Sequence, residues 1–141
     1  MSAATVRPLL REFRYPALWL AIWLAMVGAV VATSLLPADD LPAPLFDGVD
    51  KVEHFLAYLG LSAWAVMLFA TRRAQALAAV GLIALGIGLE FAQGGLTASR
   101  QADSADALAN ALGVLAGLML APTPVARALL WLDRKGRQEA G

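Results

Sequence analysis

Long apolar runs alternate with short polar segments along the chain, and each run has the length of a membrane-crossing helix. The runs cover about residues 16–36, 51–70, 75–93 and 104–121. A helix needs about 20 apolar residues to cross the hydrocarbon core of a bilayer. The alternating pattern of a membrane β-barrel is absent from the sequence. The pattern therefore predicts an all-α membrane protein, a four-transmembrane-helix bundle in one domain over residues 1–141.

The first run is the most apolar, with no charged residue between Pro16 and Pro37. Tyr15, Trp19 and Trp23 suit the interface between membrane and water. A cleaved signal peptide is the alternative interpretation, since arginines precede the run. The run exceeds the apolar core of a signal peptide and further apolar segments follow, which favours a permanent membrane helix.

Composition agrees with a membrane protein and excludes several kinds of site. Hydrophobic residues make up 60% of the chain and charged residues 16%, which is outside the range of ordinary soluble domains. The chain has no cysteine, so disulfides, thiolate metal sites and a cysteine nucleophile are excluded. The 11 basic and 11 acidic residues balance, and no basic patch suggests a nucleic-acid partner.

The distribution of basic residues predicts the orientation. Nine of the 11 lie in the N-terminal segment, at Arg72 and Arg73, and in the C-terminal tail. The other two, Lys51 and Arg100, flank the remaining loops, and segment 37–50 carries four aspartates and no basic residue. Basic residues favour the cytoplasmic side, so both termini are expected in the cytoplasm. The tail, residues 122–141, mixes apolar residues with cations and predicts a short interfacial helix.

This orientation places the polar residues of three helices on the same, outer side. They are Asp50, Lys51, Glu53, His54 and Tyr58 of the second run, Glu90 and Gln93 of the third, and Arg100, Asp103, Asp106 and Asn110 at the start of the fourth. Ionisable groups inside a membrane are costly and usually serve a function. The set therefore predicts an outward-facing polar pocket built by three helices.

Helical spacing predicts which residues face the bundle interior. On the fourth helix, Asp103, Asp106, Asn110, Gly113 and Gly117 are three or four residues apart and form one stripe. The two glycines of the stripe form a small-xxx-small pair, which permits close helix packing. Glycines of the third run predict further helix contacts: Gly81, Gly86 and Gly88.

Three ordered motifs resemble the VanZ-like family of small bacterial membrane proteins. They are DKVEHFLAYLGL from Asp50, LEFAQ from Leu89, and SRQADSADALANALGVLAG from Ser99, and together they span about half of the chain. The family often has proline and glycine before the arginine, where this chain has Ala98 and Ser99. The matching residues are Asp50, Lys51, His54, Tyr58, Glu90, Gln93, Arg100, Asp106, Asn110, Gly113 and Gly117, with Asp103 at a variable position.

The resemblance implies a multi-pass envelope protein of the bacterial inner membrane, in a family whose founding member is linked to glycopeptide-antibiotic (teicoplanin) resistance. It implies no defined chemistry. The preferred hypothesis is that the pocket binds an anionic lipid headgroup or a cell-wall precursor, with Lys51 and Arg100 as the outer cations. The residues assigned to binding are Asp50, Lys51, Tyr58, Gln93, Arg100, Asp103 and Asn110.

Several alternatives stay open. The pocket of a membrane hydrolase or transferase would use His54 as general base, oriented by Asp50, with Glu90 or Asp106 as the acid. A small transporter is a further alternative. So is a structural network in which Glu90 pairs with Arg100 or Lys51, and Asp106 with Arg100. A divalent metal held by His54 with Glu90, Asp103 or Asp106 is chemically possible. One histidine with dispersed carboxylates is a sparse ligand set, however, so neither a metal nor another cofactor is expected. The sequence leaves the oligomeric state open.

Overall fold

A computed structural model describes residues 8–36, 48–96 and 102–138 of the chain. Its helices are α1 (Pro16–Ser34), α2 (Val49–Leu68), α3 (Arg72–Leu96), α4 (Ser104–Leu118) and α5 (Ala128–Gln138), with a 3-10 turn (Pro124–Arg127) before α5. The all-α prediction is confirmed, since the described residues contain no strand beyond an isolated bridge between Leu10 and Phe69. Helix α2 starts at Val49 because Gly48 adopts a left-handed conformation, with φ of 83°, that turns the chain into the helix.

Helices α1 to α4 run alternately up and down, so their polar ends meet as predicted. The indole N–H of Trp23 donates to Leu61 O at 3.0 Å and joins the middle of α1 to α2. We call the end where α1 and α3 finish and α2 and α4 begin the polar end. The opposite end is called the basic end, because Arg11, Arg72 and Arg127 lie there.

The closest approach in the bundle is between α2 and α4, and two glycines permit it. A Cβ atom on Gly117 would lie 2.6 Å from Ser62 Cβ and 2.8 Å from Leu59 O, and a Cβ atom on Gly113 would overlap Phe55 O. Ser62 also donates its hydroxyl to Val114 O at 2.7 Å. The predicted stripe therefore faces the interior from Asp106 to Gly117, whereas its first residue, Asp103, is the partly exposed N-cap of α4.

The glycines of α3 fulfil the prediction only in part. A Cβ atom on Gly86 would lie 3.1 Å from Asn110 Cβ and 3.3 Å from Tyr58 Cε1, so this glycine does sit at a helix contact. Gly81 and Gly88 have no atom within 4 Å of a Cβ position, and the prediction of helix contacts there is wrong. Both positions lie on faces of α3 that point away from the other helices.

Within residues 8–36, 48–96 and 102–138, two helices are long and apolar enough to cross a membrane, α1 and the Arg72–Gly95 part of α3. Signal sequences and buried helices of soluble proteins meet the same criterion. Helix α4 is apolar but has only 15 residues, and α2 begins with charged side chains. The coarse prediction of a helical protein with apolar, membrane-length segments is thus confirmed, whereas the four-span bundle stays a prediction.

The C-terminal tail folds back on the basic end. Asp133 of α5 is only 7% exposed, and it accepts hydrogen bonds from the backbone N–H of Arg14 at 2.5 Å and from the indole N–H of Trp19 at 2.8 Å. Leu129 packs on the same side, while Trp131 and Leu132 are exposed. The predicted tail helix exists within residues 122–138, and one of its faces is docked on the start of α1.

Candidate functional site

Lys51, near the start of α2, lies among three carboxylates at the polar end. Its Nζ donates to Asp50 Oδ2 at 3.1 Å, to Asp103 Oδ2 at 3.1 Å and to Asp106 Oδ1 at 3.2 Å. A lysine ammonium has three hydrogens, so these bonds use its full donor capacity. The network joins the start of α2 to the start of α4, and the predicted pair of Lys51 with Glu90 does not form.

The outer carboxylates of this network are stabilised in their charged form. Asp103 is the N-cap of α4, and its Oδ1 accepts the backbone N–H of Ala105 at 2.8 Å. That bond, together with the bond from Lys51, lowers the pKa of Asp103. A hydrogen bond from Lys51 likewise lowers the pKa of Asp50. Both aspartate side chains are nearly half exposed, at 44% and 49%, so solvent screens these pairs.

His54 lies one turn further into α2, and Asn110 of α4 orients its ring. The ring Nδ1 is 3.0 Å from Asn110 Oδ1. An amide oxygen only accepts, so Nδ1 is the donor of this bond, and in a neutral imidazole the other nitrogen, Nε2, is then the acceptor. Asp106 Oδ2 is 3.9 Å from Nε2, beyond hydrogen-bond distance. The orienting partner is therefore Asn110 and not Asp50, which Lys51 holds instead.

Glu90 is the most buried carboxylate of the polar end. Its side chain is 4% exposed, and Oε2 accepts the backbone N–H of Asp103 at 3.2 Å. Its other oxygen, Oε1, is buried and has no hydrogen-bond partner among the described residues. A buried acceptor without a donor costs about 1–3 kcal/mol. The site thus contains an acceptor position that a proton or ligand donor would satisfy.

Tyr58 and Gln93, two further residues assigned to the pocket, differ in their surroundings. Tyr58 is 2% exposed, and its buried hydroxyl has no hydrogen-bond partner among the described residues. Gln93 of α3 donates its side-chain amide to Ser34 O at 2.7 Å, and so it ties the end of α3 to the end of α1. Tyr58 belongs with the site around His54, whereas this contact of Gln93 links two helices.

His54, Glu90 and Asp106 have the donor types of a metal site. One ligand atom from each of the three lies within 4.8 Å of the others. Imidazole and carboxylate donors together suit zinc, iron or manganese. Ligands about 2.1 Å from a tetrahedral ion are about 3.4 Å apart, so the three side chains would have to move closer around an ion. The sequence predicted that these residues share one pocket but expected no metal there, because the distances between their ligand atoms depend on how three helices pack.

A cleft between α1 and α2 opens onto His54 and Tyr58. Its volume is about 150 Å³, and its lining contains hydroxyl, imidazole and carboxylate groups among small apolar residues. The lining residues are Val30, Thr33, Ser34, Glu53, His54, Ala57 and Tyr58. The sequence indicated the α2 residues of this cleft but not Thr33 and Ser34, which stand in the apolar first run.

Arg100 lies outside the described residues, so its predicted role in binding and its pairs with Glu90 and Asp106 stay predictions. The other residues assigned to the pocket lie at the polar end, and α2, α3 and α4 all contribute to it.

Comparison with known proteins identifies no family: no family model, curated protein or solved structure matches the chain. The resemblance to the VanZ-like family therefore stays an expectation from its motifs.

Proposed function

We propose that the chain is a four-span envelope membrane protein with both termini in the cytoplasm and its polar end outside. Apolar surface on the helices supports the spans. Large hydrophobic side chains are exposed on every helix of the bundle, among them Leu24 at 54%, Leu56 at 57%, Leu77 at 63% and Leu112 at 49%. Soluble monomers rarely expose such contiguous apolar surface, whereas lipid tails cover it without cost.

In this proposal, the polar end binds the headgroup of a lipid or of a lipid-linked cell-wall precursor. The observation that carries the proposal is the cleft of about 150 Å³ between α1 and α2, whose lining combines the apolar side chains of Val30 and Ala57 with His54 and Tyr58. A cleft of this volume admits a headgroup and not a whole lipid. Its imidazole, hydroxyl and carboxylate groups match a headgroup with hydroxyl or amine groups.

An anionic headgroup would need a cation beyond Lys51. Three carboxylates already use the hydrogens of that ammonium. Arg100 is the other cation of the three motifs and would supply the two-pronged contact to a phosphate. The proposal therefore contains two contacts that can be tested separately. His54 would bind the hydroxyl or amine group of the headgroup, and Arg100 would bind its phosphate.

Filling the cleft tests the proposal without removing a polar group. We expect Ala57→Leu, which adds bulk inside the cleft, to abolish retention of co-purified envelope lipid in native mass spectrometry. Ala84→Leu is the matched control, because Ala84 is exposed on α3. Arg100→Ala should reduce retention of anionic lipid alone. Equal lipid retention by Ala57→Leu and Ala84→Leu would remove the basis for headgroup binding in this cleft.

The alternative is a membrane hydrolase or transferase that uses His54 as general base. It is favoured by the bond between Nδ1 and Asn110 Oδ1, because a neutral imidazole that donates at Nδ1 has Nε2 available as the base. Glu90 or Asp106 would then act as the acid. His54→Gln keeps hydrogen bonding and removes the base, so an envelope phenotype that persists in this variant at normal expression would exclude acid–base catalysis by His54.

A further inference from the structure

A second and larger cavity lies at the basic end, remote from the polar site. Its volume is about 750 Å³, within the range of small-molecule sites. The N-terminal segment, the turn between α2 and α3, and the 3-10 turn before α5 surround it. Its polar and aromatic lining consists of Arg11, Arg72, Gln75, Thr123, Arg127 and Trp131.

The charge of this cavity is uncompensated within the described part of the chain. Arg11, Arg72 and Arg127 all line it, and none of them forms a salt bridge with a described carboxylate. Burial, followed by the charges of Arg127 and Arg72, lowers the pKa of Arg11. The three guanidinium groups repel one another across the cavity, which costs electrostatic free energy. A bound anion would offset this repulsion.

Two buried atoms in the cavity lining lack hydrogen-bond partners. Arg11 donates through Nη2 to Val66 O at 3.3 Å, but its Nε has no acceptor. Gln75 is 3% exposed and donates through Nε2 to Val66 O and Phe69 O, while its Oε1 has no donor. Arg11 Nε therefore requires an acceptor, and Gln75 Oε1 requires a donor. A ligand that satisfies both carries an anionic oxygen and a hydroxyl group.

We propose that this cavity binds a phosphoryl group that carries or adjoins a hydroxyl, as in a phosphoglycerol headgroup or a protonated inorganic phosphate. The three arginines hold the phosphoryl oxygens, for which the guanidinium fork is well suited. Gln75 Oε1 accepts the hydroxyl hydrogen. The exposed ring of Trp131, over which Lys135 Nζ lies at 5.2 Å from the centroid, borders the entrance. The proposal does not depend on the function of the polar end.

The test measures binding of two probes to the full chain in zwitterionic detergent. Inorganic phosphate and short-chain phosphatidylglycerol are titrated separately, and binding is followed by calorimetry. We expect at least one probe to bind, and Arg11→Gln or Arg127→Gln to weaken that binding at least about tenfold, as expected for loss of a charged hydrogen-bond donor. Binding of the lipid alone would identify a headgroup site, and binding of phosphate would identify a site for the free ion.

Arg73→Gln provides the matched control, because Arg73 adjoins Arg72 in sequence, is exposed and does not line the cavity. It should bind the probes as the unaltered protein does. Arg127 is exposed, so Arg127→Gln should fold even where Arg11→Gln, at a partly buried position, does not. The proposal is overturned if neither probe binds, or if Arg73→Gln weakens binding as much as Arg127→Gln, since the effect would then be general surface charge.

Discussion

Asp133 shows how one side chain attaches the tail to the bundle. Burial disfavours its charged form, but the hydrogen bonds donated by the Arg14 backbone and the Trp19 indole outweigh burial and lower the pKa of Asp133. The sequence did not indicate this role, because an aspartate beside Arg134 and Lys135 is typical of a solvated helix end. Only the fold places α5 against the start of α1.

We expect Asp133→Asn to lower the stability of the folded chain by about 1–3 kcal/mol at neutral pH, since it weakens two hydrogen bonds to a charged acceptor. The folded pKa of Asp133 is lowered, so its stabilising effect is complete above the unfolded value of about 3.9. It is lost as pH falls through the folded pKa. Thermal unfolding, followed by circular dichroism, should give a lower midpoint for Asp133→Asn than for the unaltered protein at pH 7. The difference between the two proteins should shrink as the pH falls below about 4.

Glu12→Gln is the matched control for Asp133→Asn, since Glu12 is an exposed carboxylate of the same N-terminal region. Its unfolding midpoint should equal that of the unaltered protein at pH 7. If Asp133→Asn has the same unfolding midpoint as the unaltered protein at pH 7, the hydrogen bonds of Asp133 to Arg14 and Trp19 do not hold α5 in place.

His54 shows the limit of sequence reasoning at the site itself. The sequence assigned Asp50, His54 and Tyr58 of α2 and Asp106 and Asn110 of α4 to one polar pocket, and all five residues lie at the polar end. It could not show which partner each group takes. Lys51 competes for Asp50 and binds it, so the imidazole turns to Asn110, a choice that depends on distances between helices.

The helices themselves followed from apolar run length and spacing, while their contacts did not. The stripe from Asp106 to Gly117 is buried as the three-and-four spacing predicts. Glycine alone was a poor guide to contact, since Gly86 touches α2 and α4 whereas Gly81 and Gly88 face open space. In a chain rich in alanine and glycine, composition produces many small residues that no neighbouring helix uses.

The contact between α2 and α4 gives a prediction that compares two glycines. A Cβ at Gly117 would lie 2.8 Å from the backbone atoms Leu59 O and Ala63 N, so Gly117→Ala must push the helices apart. We expect a loss of about 1–3 kcal/mol in the free energy of unfolding. Gly81→Ala meets nothing within 4 Å and should leave stability unchanged or raise it by up to about 1 kcal/mol.

Denaturant titration of both glycine variants in the same detergent, followed by helical circular dichroism, provides the measurement. Equal stability of Gly117→Ala and Gly81→Ala would contradict the close packing of α2 on α4. The comparison separates packing from helix propensity, because both changes are the same substitution inside a helix.

The molecule as a whole carries two sites at opposite ends of one bundle. The polar end brings carboxylates together around Lys51 and His54, among them those of Asp50, Glu90, Asp103 and Asp106. The basic end holds three arginines around a cavity of about 750 Å³. This separation of charge suits a protein whose ends lie in different compartments, with cations on the cytoplasmic side. The sequence predicted the separation, but neither cavity could be predicted without the packing of the helices.

Orientation in the membrane is the claim on which the assignment of both ends depends. The chain has no cysteine, so a single one can report the compartment of its position. Glu53→Cys introduces it at the polar end and Arg73→Cys at the basic end, and both positions are exposed. A membrane-impermeant maleimide applied to spheroplasts should label Glu53→Cys and should label Arg73→Cys only after the membrane is disrupted. Labelling of Arg73→Cys in intact spheroplasts, or protection of Glu53→Cys, would contradict the account.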